Sequence, residues 1–268
     1  MIKAAVILVV LAGAAAAWDC PRCGTPGQGA AFCSVCGLPE PPAGMAFVPG
    51  CTVTVSGEQV EVAPFFIDSM PVTYRDVLPW METAVTSEED LAAVVTGQFD
   101  ESYQFLSFTP FINNEDGTAL TVPAASFGMP AASFTWEGAT LFLTDAGKRL
   151  PTLAQITAAN EAGLITRFDV YTVMSSFEPV MTATMGQLLG PLGRQSMFMG
   201  YSTASERVMW EWTRDEWALR PWEPGDPLGP YRTIWKCLDT PVTGAAGRDT
   251  GYFNVIFRGV VSLPEDWQ

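Results

Sequence analysis

Histidine is absent from all 268 residues. That absence removes Ser-His-Asp and Cys-His catalysis, imidazole metal ligands and the commonest general base together. Lysine is nearly absent as well, with only Lys3, Lys148 and Lys236 against a formal charge of −15. Without a basic footprint to neutralise phosphates, nucleic acid is excluded as a partner. The acidic residues are scattered rather than run together and read as a solubilising charge, with attraction of cations as the alternative. The chain is rich in Gly (24) and Pro (21), which punctuate it every few positions and argue against a helix-only architecture. With 48% apolar residues it can still bury a sizeable core, so short elements joined by long loops are expected.

Residues 1–17 run from Lys3 through the apolar stretch Ala4 to Leu11 into Ala14, Ala15, Ala16 and Ala17. The pattern predicts a secretory signal cleaved after Ala17. The apolar stretch is short for a membrane span, so membrane association is expected only through an uncleaved signal segment. Everything after Trp18 is expected outside the cytoplasm, secreted or in the periplasm and cell envelope.

Four of the six cysteines fall in two turns, Cys20-Pro-Arg-Cys23-Gly and Cys33-Ser-Val-Cys36-Gly. Each CxxC presents two sulfurs to one ion, and Gly24 and Gly37 follow where a positive φ lets the backbone close on the thiolates. A structural zinc held by Cys20, Cys23, Cys33 and Cys36 fits this spacing, and the stretch resembles the short zinc-ribbon modules written CPxCG…FCxxCG. Two disulfides are the alternative in an oxidising compartment. Redox catalysis is disfavoured, because no thioredoxin-like βαβ pattern follows. Residues 18–38 are read as the ribbon, 39–44 as a stiff Pro-rich linker and 45–268 as the main domain.

In the main domain the alternation from Met45 predicts a half-buried strand, and Val60 to Ile67 a second. Thr73 and Asp76 form a capping box that starts a helix with Val77, Trp80 and Met81 inward, its length limited by Pro79. A second helix is expected over Thr135 to Ala146, with Trp136, Ala139, Phe142 and Leu143 on one face and Gly147 after its end. A third begins at Thr152, boxed by Gln155, and turns Leu153, Ile156 and Ala159 inward until Gly163. The remainder reads as strand-poor and loop-rich, giving an α+β class with a small antiparallel sheet.

Five segments in order carry a family resemblance: Pro64 to Thr73, Pro130 to Ala139, Gly147-Lys-Arg-Leu-Pro-Thr152, Val208-Met-Trp-Glu-Trp-Thr-Arg-Asp215 and Asn254-Val-Ile-Phe-Arg-Gly-Val-Val261. Together they resemble the formylglycine-generating enzyme, or sulfatase-modifying factor, family. The resemblance implies that family's C-type-lectin-like variant fold. Large rings filling space and a buried ion pair, with Arg149, Glu211, Trp210 and Trp212 as candidates, are what such a loop-rich core uses.

Enzymes of that family oxidise a substrate cysteine to formylglycine through two copper-binding cysteines placed after a strand that here corresponds to Arg232-Thr-Ile-Trp-Lys-Cys237. The following stretch, Leu238 to Arg248, has no cysteine, so copper, which prefers soft sulfur ligands, is not expected. Glu206 and Glu211 fall at positions corresponding to the family's second calcium site; a calcium site there and ion-paired or solvated carboxylates remain alternatives. Cys51 and Cys237 each replace a family glycine. Because the resemblance places their strands in one compact sheet, a disulfide between them is weighed against two separate thiols.

The expected function is a non-catalytic binding or scaffold module. Its loop-rich face, bearing Tyr201, Trp210, Trp212, Asp215, Trp217, Trp222 and Trp235, meets a protein or small ligand. A family enzyme of different chemistry, with Glu206, Glu211, Asp215 and Cys237 lining a pocket, is the alternative. For the tryptophan pair itself, core packing is the preferred reading.

Overall fold

The computed structural model describes residues 17–96, 112–113, 120–122, 124–168, 172, 209–216, 231–237, 241–248 and 255–263. The chain divides between Ala43 and Gly44 into two compact units. The expected signal segment lies almost wholly outside the described residues. Among the described residues no helix is long and apolar enough to cross a membrane.

The first unit has almost no apolar core: Leu38 is its one buried aliphatic side chain among the described residues, beside Cys20, Cys33 and Gln28. Backbone pairs hold it, Trp18 with Gln28 and Phe32 with Pro39, and the Gln28 side chain accepts from both the amide and the hydroxyl of Ser34. Glu40 N–H also donates to Ala31. Pro39 and Glu40 therefore belong to the ribbon rather than to a free linker, which corrects the linker's expected start.

The second unit is mixed α+β, with few helices and small, mainly antiparallel sheets. The expected first strand is two, β1 (Met45–Val48) and β2 (Cys51–Val55), interrupted at Pro49 and Gly50. The second is likewise two, β3 (Glu58–Val62) and β4 (Phe65–Asp68), interrupted at Ala63 and Pro64. Proline lacks the ladder donor, and each break moves the chain to another sheet. β2 and β3 form a hairpin, while β4 is central in a three-stranded sheet between β1 and β11 (Val260–Ser262).

Helix α1 (Tyr74–Ala84) starts at the expected box, where Asp76 accepts from both the amide and the hydroxyl of Thr73. It turns Val77, Leu78 and Met81 into the core, and it runs five residues past Pro79, further than expected. A short helix α2 (Glu88–Leu91) and a π-helical turn (Ala92–Thr96) follow, and a two-residue pair joins β5 (Ile112–Asn113) and β6 (Leu120–Thr121). Helix α3 (Trp136–Asp145) is capped by Thr135, whose hydroxyl accepts from Gly138 N–H, and Gly147 follows it at φ 70°. Helix α4 (Leu153–Glu161) has the Thr152–Gln155 box and ends near Gly163 at φ 68°. A left-handed residue after the last turn is what glycine provides there without steric strain.

The later part of the chain is not strand-poor. β7 (Trp210–Glu216), β8 (Tyr231–Cys237) and β9 (Pro241–Gly247) form antiparallel neighbours, and β10 (Val255–Ile256) joins β7 in parallel. Sequence propensity hides β9, because Pro241, Gly244 and Gly247 are poor strand formers. Its pairing with β8 along seven positions supplies the order instead.

Side-chain alternation makes the four-stranded sheet two-sided. Trp212 and Ile234 are directly opposed and enter the main core with Phe134, Leu143 and Phe257. Glu211 and Trp235, the next opposed pair, turn to the other face, where Trp235 packs on Ile156 of α4. Helix α4 meanwhile buries Ala158 and Ala159 against Val53 and Val62 of the hairpin.

Candidate functional site

The four ribbon sulfurs all lie within 4.8 Å of one another. Each CxxC closes as the same turn: Gly24 N–H donates to Cys20 O at 2.9 Å, and Gly37 N–H donates to Cys33 O at 2.8 Å. Gly24 and Gly37 adopt φ 73° and 71°. Backbone conformation, not space, selects glycine at position 24, because a Cβ there would meet nothing.

Metal fit follows from the spacing. Four thiolates around zinc at about 2.3 Å place their sulfurs about 3.8 Å apart. Here Cys20 and Cys36 are 3.5 Å apart and Cys23 and Cys33 are 3.6 Å apart. The Thr25 hydroxyl, 3.0 Å from the Cys23 sulfur, together with the Thr25 backbone lowers the Cys23 thiol to about 6. At Cys36 a hydrogen bond with the Leu38 backbone lowers the value, but burial and the other three cysteines outweigh it and push the thiol up to about 12. Four sulfurs this close share protons until a cation neutralises them. The cluster has the donor set, spacing and backbone support to hold one soft divalent ion.

In the second unit the chemistry converges on Arg258. The guanidinium is fully buried, and all five of its N–H donors are used. Nε donates to Glu211 Oε2 at 2.6 Å and Nη2 to Glu211 Oε1 at 2.8 Å. Nη1 donates to the carbonyls of Asp68 and Ser69, and Nη2 also to that of Thr166. One side chain thus ties the end of β4, the segment after α4 and β7 together. Beside it Asp68 pairs with Lys148 at 2.7 Å and accepts from Gly259 N–H at 2.8 Å. Position 259 has no room for more than glycine, since a Cβ would lie 2.6 Å from the Lys148 chain and 2.9 Å from Asp68.

These contacts revise several expected sites. Of the two readings of Glu211, the ion-paired one is observed, with both oxygens engaged by Arg258 rather than turned to a cation; Glu206 lies outside the described residues. The buried arginine is Arg258, not Arg149, which hydrogen-bonds Ser262 and pairs with the backbone of Val260. A lone arginine inside the apolar run Val255 to Val261 was the signal for it, because a buried guanidinium requires a carboxylate partner.

Trp212 and Trp235 are removed from the expected binding face. Both are buried: the Trp212 indole donates to Phe134 O at 3.0 Å, and Trp235 sits under α4, its Nε1 without a partner among the described residues. Trp210 and Asp215 are half-buried, and the Asp215 carboxylate accepts from Leu153 N–H at the start of α4. Tyr201, Trp217 and Trp222 lie outside the described residues.

Cys51 is a free, exposed thiol in the β2–β3 hairpin, whereas Cys237 ends β8 in the four-stranded sheet. The two cysteines weighed as a bridge thus stand in different sheets. The shared sheet that suggested it is in fact two, with α4 packed on both the hairpin and β8.

A search of curated proteins finds no match. Among solved structures the chain matches one titled "Crystal Structure of CarF", at 13% identity and a TM-score of 0.38 over 83% of this chain and 99% of that one. The family model of the sulfatase-modifying factor enzyme 1-like domain matches residues 39–198, more than half of the chain. With that span matched, the chain belongs to the sulfatase-modifying factor enzyme 1-like domain family.

Proposed function

We propose that this is an exported member of the family that binds or scaffolds a partner instead of making formylglycine, and that its ribbon holds one structural zinc. The observation that carries the proposal is the distribution of thiols. Outside the ribbon the chain has two cysteines; Cys51 is free, and Cys237 belongs to a different sheet. Oxidation of a substrate thiol at a copper centre needs a pair of soft sulfur ligands, and this distribution offers no such pair. Residues 241–247, in the stretch where the family's cysteines are expected, are strand β9.

The zinc assignment is supported by the tetrathiolate spacing and by the near-absence of an apolar core in the ribbon, since a module this small folds only around a staple. The C-type-lectin-like assignment is supported by the small sheets and long connections. Export is supported by residues 1–17, and a protein or small-molecule partner by the acidic surface without a basic footprint.

The test is incubation of purified protein with copper, oxygen and a cysteine-containing sulfatase peptide. The peptide mass is expected to stay unchanged. An aldehyde-bearing product would refute the non-catalytic reading and favour a family enzyme.

A further inference from the structure

Two sulfur pairs in the ribbon approach to within 3.6 Å, and both cross from one knuckle to the other: Cys20 with Cys36 at 3.5 Å and Cys23 with Cys33 at 3.6 Å. A disulfide needs its sulfurs at about 2.05 Å, so each crossing pair has about 1.5 Å to close, a movement within reach of side-chain torsion. Both knuckles are meanwhile held as turns by Gly24 N–H on Cys20 O and Gly37 N–H on Cys33 O.

We propose that the ribbon is also an oxidation site, in which a peroxide converts the metal-binding cysteines into two nested disulfides, Cys23–Cys33 inside Cys20–Cys36, that staple the two knuckles in place of the ion. The proposal rests on the zinc reading only for what is released. Its connectivity rests on the two short crossing separations, Cys20 to Cys36 and Cys23 to Cys33.

Exposure sets the order. Cys23 is exposed and Cys36 half-buried, while Cys20 and Cys33 are buried. The Cys23 sulfur attacks a peroxide oxygen; the S–O bond forms, the O–O bond breaks and the leaving hydroxide is protonated to water. The Cys33 sulfur then displaces hydroxide from the sulfenic acid, forming the first disulfide and a second water. Cys36 and Cys20 repeat the sequence. In all, two peroxides and four protons are consumed, four thiolates are oxidised to two disulfides, and four waters and one zinc ion leave.

Nested cross-links enclose sequence separations of 10 and 16 residues. They restrict the unfolded chain far more than two CxxC rings would. They also do what the ion does, joining the first turn to the second, whereas rings closed within each knuckle would leave the turns untied.

The experiment uses the full chain, purified reduced, with zinc counted before and after hydrogen peroxide and the product mapped without reduction. Trypsin at Arg22 separates Cys20 from Cys23, chymotrypsin at Phe32 separates Cys23 from Cys33, and thermolysin before Val35 separates Cys33 from Cys36. The expected result is a mass lower by about 4 Da, two hydrogens per bridge, with Cys20 linked to Cys36, Cys23 linked to Cys33, and all bound zinc released. In Cys23→Ser the Cys20–Cys36 bridge is expected to persist, with Cys33 open to alkylation.

Bridges Cys20–Cys23 and Cys33–Cys36, or sulfinic acids in place of disulfides, would overturn the proposal while leaving a zinc-loaded reduced protein intact. Nested bridges in a chain that never held zinc would support the proposal and overturn the metal reading.

Discussion

Replacing Glu211 by alanine leaves the Arg258 guanidinium charged and fully buried, with Nε and one Nη2 proton unpartnered. The three carbonyl bonds to Asp68, Ser69 and Thr166 remain, so the arginine cannot swing to water without releasing β4 and the segment after α4. Breaking a buried pair by removing one partner costs about 3–5 kcal/mol. For a unit of this size that corresponds to a Tm lower by about 6–20 °C. Arg258→Ala is expected to cost at least as much, because three buried carbonyls lose their donor along with Glu211. The double variant should fall well short of the sum of the two, since each single change strands the other group. Urea unfolding followed by tryptophan fluorescence measures all three. A Glu211→Ala loss below about 1 kcal/mol, the range of an exposed pair, would refute the clamp.

Gly138→Ala places a Cβ 2.3 Å from the Val94 carbonyl oxygen, a backbone atom of the π-helical turn that cannot rotate away. Overpacking of this kind costs about 1–3 kcal/mol, visible in the same unfolding curves as an earlier midpoint with an unchanged slope. Cys23→Ser is expected to release the ribbon's ion while the cooperative unfolding of the second unit is unchanged, checked by metal analysis beside thermal melting; a joint loss would show that the two units do not fold independently.

What could be read in the sequence was local. Thr73 with Asp76, Thr152 with Gln155, and Gly147 and Gly163 each depend on neighbours within a turn, so their residue types sufficed. The CxxCG pairs are legible for the same reason, as the ligand spacing and the positive-φ glycine are set inside five residues. Proline positions misled in both directions: Pro49 and Pro64 lie in breaks that split expected strands, while Pro79 is carried inside α1 by the burial of Val77, Leu78 and Met81 around it. Long-range partners left weaker traces. Arg258 meets Glu211 across 47 positions and Asp68 across 190. Trp212 and Trp235 could still be placed on a binding face until β7 and β8 are paired, after which opposite-face alternation buries both. β9 is unreadable from propensity because β8 supplies its order.

Metal content tests most directly whether this family member is stapled by zinc and lacks a copper centre. Elemental analysis of protein purified under reducing conditions, with no metal added, is expected to find one zinc per chain, lost on acidification as protons compete for the thiolates, and no stoichiometric copper. Stoichiometric copper, or a reduced protein with no zinc, would contradict the account.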